Sequence, residues 1–75
     1  MRENLTDREV EILLCYADCD MQTIPTAEML GINRKTVSRA FAKIFVETGY
    51  NPTEFWDLFA IMKELQKEEV NNGKV

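Results

Sequence analysis

Apolar residues recur at helical spacing in four segments of the chain, and helix start and stop signals separate these segments. The first segment opens with Thr6 and Glu9 in capping-box spacing, where hydroxyl and carboxylate oxygens can accept from free amide groups at a helix N-terminus. Its inward stripe is predicted to comprise Val10, Leu13, Leu14 and Ala17, widened by Ile12 and Tyr16. We therefore predict a first helix that ends close to Asp18.

The second and third segments predict a short helix, a tight turn and a longer helix. Pro25 suits the first turn of the short helix, and Gly31 suits its end because glycine readily takes the left-handed conformation. The buried positions of this helix are predicted to be Ala27, Met29 and Leu30. Asn33 is a strong N-cap for a helix over residues 34–48, which Gly49 terminates. Its inward face is predicted to comprise Val37, Phe41, Ile44 and Phe45.

A fourth helix is predicted after Asn51 and Pro52 and is expected to run to about Glu69. It carries more apolar residues than one inward stripe can use. The stripe is predicted to comprise Phe55, Leu58, Phe59, Met62 and Leu65, which leaves Trp56, Ala60 and Ile61 outside. Either this helix is broadly buried or its outer apolar residues form a self-association face. The fold class is predicted to be all-α, with four helices in a single domain over residues 1–75 and an ordered core of about 5–69.

The charges are distributed unevenly along the 75 residues. Between Gly31 and Val46 there is no acid, and the cations are Arg34, Lys35, Arg39 and Lys43. This stretch therefore carries a charge of +4. The rest of the chain carries −8, and the sum is the net charge of −4. At about 100° per residue, one outer face of the third helix, here called the basic face, comprises Arg34, Lys35, Ser38, Arg39, Ala42 and Val46, with Lys43 at its edge.

The basic face favours a nucleic-acid target over an ordinary solvated helix surface. It lacks the acids at i, i+4 that commonly accompany cations on a merely solvated face. A short helix, a tight turn and a longer helix also form the helix-turn-helix arrangement, whose second helix lies in the DNA major groove. Net charge does not oppose this interpretation, because phosphates respond to charges within about a Debye length, ~8–10 Å at ordinary salt.

Composition excludes several other classes. There is no histidine, and the two cysteines, Cys15 and Cys19, are too few for a zinc site or a secreted disulfide scaffold. We expect a reduced chain with Cys15 acting as a small apolar residue, and no metal or cofactor. Glu9, Glu11 and Glu28 are expected to be solvated surface acids, so an enzyme is not predicted. No apolar run is long enough to span a membrane, which predicts a cytoplasmic protein.

Several short motifs together resemble a known family. They are Leu5-Thr6-x-Arg8-Glu9-x-Glu11-Ile12-Leu13, Ala27-Glu28-x-Leu30-Gly31-Ile32-Asn33, Lys35-Thr36-Val37, Ile44-Phe45 and Gly49-Tyr50. In order and spacing they resemble the LuxR/GerE-type helix-turn-helix, apart from one extra residue near Asp20–Ile24. The resemblance extends from Leu5 to about Leu65. It implies a four-helix DNA-binding domain that dimerises through its last helix.

The resemblance also implies roles for individual residues. The residues implied to contact bases are Ser38, Arg39 and Ala42. Those implied to contact phosphates are Thr23, Arg34, Lys35, Thr36 and Lys43, and those implied at a dimer interface are Trp56, Ala60 and Ile61. Ser38 and Ala42 stand where the family frequently has basic residues, and Ala40 stands where it commonly has histidine. These departures imply weaker and more salt-sensitive binding than in a basic member of the family.

The sequence thus predicts a bacterial or phage-type transcriptional regulator that binds double-stranded DNA as a homodimer. Two recognition helices related by a twofold axis would lie about one DNA turn apart on an inverted repeat. The alternative is a protein-interaction module on the same fold, which docks another regulator or an RNA polymerase subunit and does not bind DNA. The −8 outside the third helix supports that alternative.

Overall fold

A computed structural model describes the backbone of residues 4–73 and the side chains of residues 4–66. The described part of the chain contains four α-helices and no β-strand, which confirms the predicted all-α fold class. The helices are α1 (Asp7–Asp18), α2 (Thr23–Leu30), α3 (Arg34–Thr48) and α4 (Phe55–Gly73). α1, α2 and α3 pack against one another in pairs.

The predicted capping box begins α1. The Glu9 amide donates to Thr6 Oγ1 over 3.1 Å, and the Thr6 amide donates to Glu9 Oε1 over 2.9 Å. Each side chain therefore satisfies an amide group that would otherwise have no partner in the first turn. This reciprocal pair sets the start of the helix at Asp7.

The predicted turn signals also set the connection between α2 and α3. Gly31 takes a left-handed φ of 68°, and the Ile32 amide donates back to the Ala27 carbonyl over 2.9 Å. Two residues later, Asn33 caps α3 by accepting from the Lys35 amide over 2.8 Å. The chain thus ends one helix and begins the next within three residues, and α2 and α3 pack against each other on either side of this turn.

The turn between α1 and α2 has a conformation that the pattern does not predict. Asp20 and Met21 take φ values of 55° and 60°, and they are the non-glycine residues with positive φ in the described chain. The Met21 amide donates to the Tyr16 carbonyl over 2.9 Å, and the Gln22 amide donates to the Cys19 carbonyl over 3.1 Å. The turn is therefore closed by backbone hydrogen bonds although it contains no glycine.

α4 begins later and ends later than predicted. Asn51 does not cap the helix directly; its side chain accepts from the Thr53 amide over 3.0 Å and so closes a turn ahead of it. The Leu58 amide donates to the Glu54 carbonyl over 2.8 Å, so the helical hydrogen bonds start there. α4 continues to Gly73, beyond the predicted end near Glu69.

The inward faces of α1, α2 and α3 differ from the predicted ones at several positions. On α1 the buried apolar residues are Ile12, Leu13 and Tyr16, whereas Leu14 and Ala17 are exposed. On α2 Ala27 is buried and Leu30 is half-buried, but Met29 is 73% exposed. On α3 Val37, Phe41 and Ile44 are buried as predicted, whereas Phe45 is about half exposed. The Tyr16 and Phe41 rings meet edge to face, with their centroids 4.7 Å apart.

The inward face of α4 is rotated from the predicted one by roughly 45°, about half the angle between successive residues. Leu58 and Ile61 are buried in the core, and Met62 and Leu65 are half-buried against it. Phe55 and Phe59, predicted to face inward, are about half exposed. Ile61, predicted to lie at a dimer interface, is fully buried and has no surface to offer a partner. The prediction that Ile61 lies outside the core is wrong, because both registers place apolar residues at helical spacing and periodicity alone cannot choose between them.

Candidate nucleic-acid interface

The rotation of α3 is set by its three buried residues. Val37 and Ile44 have no exposed surface and Phe41 has almost none, and they anchor one side of the helix in the core. At 100° per residue this orientation places the basic face on the solvent side. Its residues, Arg34, Lys35, Ser38, Arg39, Ala42 and Val46, are all exposed. The structure therefore brings together, on one surface, the residues that the sequence assigned to base contacts.

The cations of the basic face are free to meet a ligand. In the part of the chain that the structure describes, Arg34, Lys35 and Arg39 form no ion pair with a carboxylate. Ser38 and Ala42 lie along the same face and have short side chains, so the helix can approach another surface closely. A face with unpaired long cations and short side chains between them suits the phosphate-lined walls and the base edges of a major groove.

An open groove of about 580 Å³ lies between the basic face and the N-terminus of α2. Its lining residues are Met21, Gln22, Thr23, Ile24, Arg34, Lys35 and Ser38. The Gln22 side chain makes no capping hydrogen bond. Among the described residues, the Thr23 and Ile24 amides have no backbone acceptor. Two cationic residues and the first two residues of α2, whose amides lack a backbone acceptor, thus line one groove, an arrangement that suits a phosphate group. This groove contains the predicted phosphate-contacting residues Thr23, Arg34 and Lys35.

A second open groove, of about 260 Å³, continues along the same side of α3, toward the turn before α4. It shares Thr23 and Ser38 with the first groove, and its remaining lining residues are Phe41, Ala42, Phe45, Asn51 and Thr53. The pattern of the sequence does not indicate that the turn before α4 would contribute here. Phe45, Asn51 and Thr53 were therefore missed, since their contribution depends on the packing of α4 and on the turn that Asn51 closes.

Lys43 differs from the other cations of α3. Its Nζ lies 3.8 Å from Glu9 Oε2 on α1, and the Glu9 side chain is only 7% exposed. The prediction that Glu9 is a solvated surface acid is wrong: it caps α1 and pairs with α3. Lys43 itself is more than half exposed and can still reach a phosphate. Part of its charge is nevertheless already balanced by Glu9.

In the first turn of α3, side chains rather than backbone amides are available to bind a phosphate. The Lys35 amide donates to Asn33 Oδ1 over 2.8 Å, and the Thr36 amide donates to the Asn33 carbonyl over 3.0 Å. Both side chains are exposed. Phosphate contacts at Lys35 and Thr36 would therefore come from the ammonium and hydroxyl groups.

Three aromatic side chains form an exposed patch at the start of α4, here called the aromatic patch: Phe55, Trp56 and Phe59. Trp56 is 73% exposed and meets both phenylalanine rings edge to face, at centroid distances of 5.1 and 5.9 Å. Lys63 Nζ lies 5.5 Å from the Phe59 centroid. Of the predicted dimer residues, Trp56 lies in this patch, Ala60 is half-buried and Ile61 is in the core. Phe55 and Phe59 were missed because the sequence pattern assigned them to the core.

The aromatic patch borders a shallow apolar groove of about 170 Å³ between α4 and the end of α1. Its lining residues are Ala17, Met21, Phe55, Leu58, Phe59 and Met62. This surface is apolar and lies on different helices from the basic face. Apolar surfaces of this kind mark sites of association with other proteins.

None of the helices in the described chain is long and apolar enough to cross a bilayer.

Comparisons with protein-family models, with curated proteins and with solved structures found no match to this chain.

Proposed function

We propose that this protein binds double-stranded DNA through the basic face of α3, with α2 and α3 acting as a helix-turn-helix and α3 lying in the major groove. The observation that carries the proposal is the exposure of Arg34, Lys35 and Arg39 on one face, where none of them pairs with a carboxylate of the described residues. The resemblance of the sequence to LuxR/GerE-type domains supports the same function. The role that follows is transcriptional regulation in the cytoplasm of a bacterium.

Within this proposal Arg39 is the main reader of base sequence. It lies in the middle of the face, and arginine bound through both nitrogens to guanine is the commonest specific contact, contributing about 1–3 kcal/mol of discrimination. Ser38 and Ala42 flank it and contact base edges at short range. Arg39 is the only long side chain among the three, so specificity depends strongly on it.

The remaining polar groups hold the phosphates. Arg34, Lys35 and Thr23 do so in the first groove, together with the free amides of α2. Thr36 contributes its hydroxyl, and Lys43 contributes less because Glu9 already pairs with it. With so few free cations, non-specific binding is expected to be weak, and its salt dependence shallow rather than steep, because the salt slope grows with the number of phosphates that are neutralised.

A second copy of the chain would compensate for the small number of DNA contacts that one copy makes. We assign self-association to the aromatic patch, centred on Trp56, with Ala60 at its margin. Tryptophan is a favoured interface anchor, and a twofold pair of α4 helices would set the two α3 helices about one DNA turn apart. Two copies double the number of free cations that meet the duplex.

The direct test is titration of a labelled pool of random-sequence duplexes, about two helical turns long, at several salt concentrations. The wild-type chain is expected to bind at low salt. Lys35→Ala should weaken binding to all sequences alike and reduce the salt slope by about 1. Arg8→Ala is the matched control, since Arg8 is an exposed cation on α1 that pairs with Glu11. It should bind as the wild type does. Absence of binding at low salt would refute the proposal.

The aromatic patch favours a second candidate, a module that docks another regulator or an RNA polymerase subunit. Three exposed aromatic rings on one surface are typical of a site that binds another protein. The chain outside α3 also carries a net negative charge. Retention of a protein partner after nuclease treatment, together with no binding of any duplex, would support this candidate and exclude the first.

A further inference from the structure

Three sulfur atoms come together where α1 meets α2. Cys19 Sγ lies 3.6 Å from Met29 Sδ, although these residues belong to different helices. Cys15 lies one turn before Cys19 on α1, so the two side chains are neighbours on one helix face, and Cys15 Sγ lies 4.0 Å from the Thr26 carbonyl oxygen of α2. Partial burial and the neighbouring Cys19 thiol raise the pKa of the Cys15 thiol. The result is a cluster of two thiols and one thioether, here called the sulfur cluster.

Packing does not account for the sulfur cluster. Met29 was predicted to be a core residue, yet it is 73% exposed, and most of its surface contacts nothing. Both cysteines are only partly buried and neither is in a disulfide. A methionine retained for apolar packing would lie in the core beside Ala27 rather than over a cysteine at the surface.

We propose that Cys15, Cys19 and Met29 bind one Cu(I) ion, or a soft monovalent ion of the same kind, between α1 and α2. Metal–sulfur bonds are about 2.3 Å long, so three sulfurs around one ion in a plane lie about 4 Å apart. The observed 3.6 Å between Cys19 and Met29 is close to that separation. Binding replaces the two thiol protons, which pass to water, with the ion.

The donor set selects the ion. Two thiolates and a thioether are soft ligands, which prefer Cu(I), whereas zinc sites are built from thiolate, imidazole and carboxylate. Among the described residues no three His, Cys, Asp or Glu side chains are grouped to hold a metal. The third donor at this place is therefore Met29, and a thioether is a poor ligand for zinc. The site is expected to reject Zn²⁺.

Bound Cu(I) would join the C-terminal ends of α1 and α2. Cys19 is the C-cap of α1, and Met29 lies in the last turn of α2. These two helices pack against each other and against α3. Since the three sulfurs are brought together by the folded arrangement of both helices, the ion would stabilise the fold, by an amount that rises with the logarithm of its free concentration.

The test is a titration of the full chain with Cu(I) under anaerobic conditions, in competition with the chromogenic chelator bicinchoninate. The wild type should withdraw one Cu(I) per chain, and X-ray absorption should count three sulfur neighbours. Met29→Leu should bind Cu(I) more than about tenfold more weakly, because the loss of even a residue that only supports a metal ligand costs a site at least about that much. X-ray absorption of this variant should count two sulfur neighbours. Because Met29 is exposed, this variant is expected to fold.

Met62→Leu is the matched control, since Met62 is a methionine outside the cluster and Leu conserves its volume. It should bind Cu(I) as the wild type does. Cu(I) should also raise the melting temperature of the wild type but not that of Cys19→Ser. Equal Cu(I) affinity of Met29→Leu and the wild type, or displacement of Cu(I) by equimolar Zn²⁺, would overturn the proposal. Neither result depends on DNA binding.

Discussion

At the scale of single residues, the unusual conformations occur in the turn between α1 and α2. Asp20 and Met21 are consecutive L-residues with φ near +60°. This conformation brings the β-carbon close to the following carbonyl and costs roughly 1–2 kcal/mol per residue, less for aspartate, whose short side chain tolerates it better. At the ends of α2 and α3 the same conformation falls on Gly31 and Gly49, where it costs little. The turn is therefore held by its hydrogen bonds and by Met21 packing on the core.

Asp20→Gly should accordingly stabilise the protein. Relief of the left-handed strain outweighs the extra chain entropy of glycine, so the free energy of unfolding should rise by about 0.5 kcal/mol. Asp18→Gly is the matched control, because it removes the same charge two residues earlier, at the last residue of α1, and should change the free energy of unfolding by no more than about 0.3 kcal/mol, since aspartate ranks only a little above glycine in helix propensity. Urea unfolding measures both. Loss of stability in Asp20→Gly would contradict the presence of strain at this turn.

At the scale of helices, the ends of α1, α2 and α3 could be predicted from the sequence better than the helix faces, whereas both predicted ends of α4 were wrong. Thr6, Asn33, Gly31 and Gly49 act at the predicted positions because capping depends on residues within a few positions of each other. Rotation about the helix axis depends instead on what the other helices offer. Where a helix has a broad apolar sector, as α4 does, the sequence permits several rotations and tertiary packing selects one.

In the candidate site, too, features that depend on one helix could be predicted, whereas features that depend on the packing of two helices could not. α3 has a narrow apolar stripe, so its basic face could be located from the sequence alone. The ion pair of Lys43 with Glu9 and the contact of Cys19 with Met29 join different helices. No spacing within one helix predicts such pairs. The aromatic patch was assigned to the core for the related reason that its exposure depends on how α4 packs.

Local charge on α3, rather than net charge, should govern DNA affinity. Ser38→Lys adds one cation where both grooves beside the basic face meet, and should tighten binding to all duplexes and steepen the salt slope by about 1. Gln66→Lys adds the same charge at an exposed position on α4 and should change affinity little. Fluorescence anisotropy against a duplex pool measures both. Equal effects of the two substitutions on affinity would show that DNA binding depends on net charge and not on the position of the charge on α3.

At the scale of the whole molecule, the chain separates a polar, cationic surface from an apolar one. The basic face lies on α3 and the aromatic patch lies on α4, while most of the negative charge is elsewhere. The principal extents are 38 × 23 × 20 Å, so one copy covers a short stretch of duplex. A single small cationic surface binds phosphates weakly, and a second copy joined through the aromatic patch would supply the missing contacts.

Trp56→Ser should weaken self-association on DNA by about 30-fold, the effect of losing an interface residue worth about 2 kcal/mol. The fold should survive because the side chain is largely exposed. Leu14→Ser is the control, since Leu14 is an exposed apolar residue on α1 outside both the aromatic patch and the basic face, and it should leave self-association unchanged. Sedimentation velocity with a bound duplex measures the effect. If both variants sediment as the wild type does, the patch is not the dimer interface.

The central claim, that α3 reads duplex DNA, is tested most directly by selection from a random-sequence duplex library with the wild type and with Arg39→Ala. The wild type should enrich an inverted repeat whose half-sites lie about 10 base pairs apart and each contain a preferred guanine. Arg39→Ala should lose the preference at that guanine and keep the rest. Recovery of no enriched sequence by the wild type, or of the same guanine preference by Arg39→Ala, would contradict the claim.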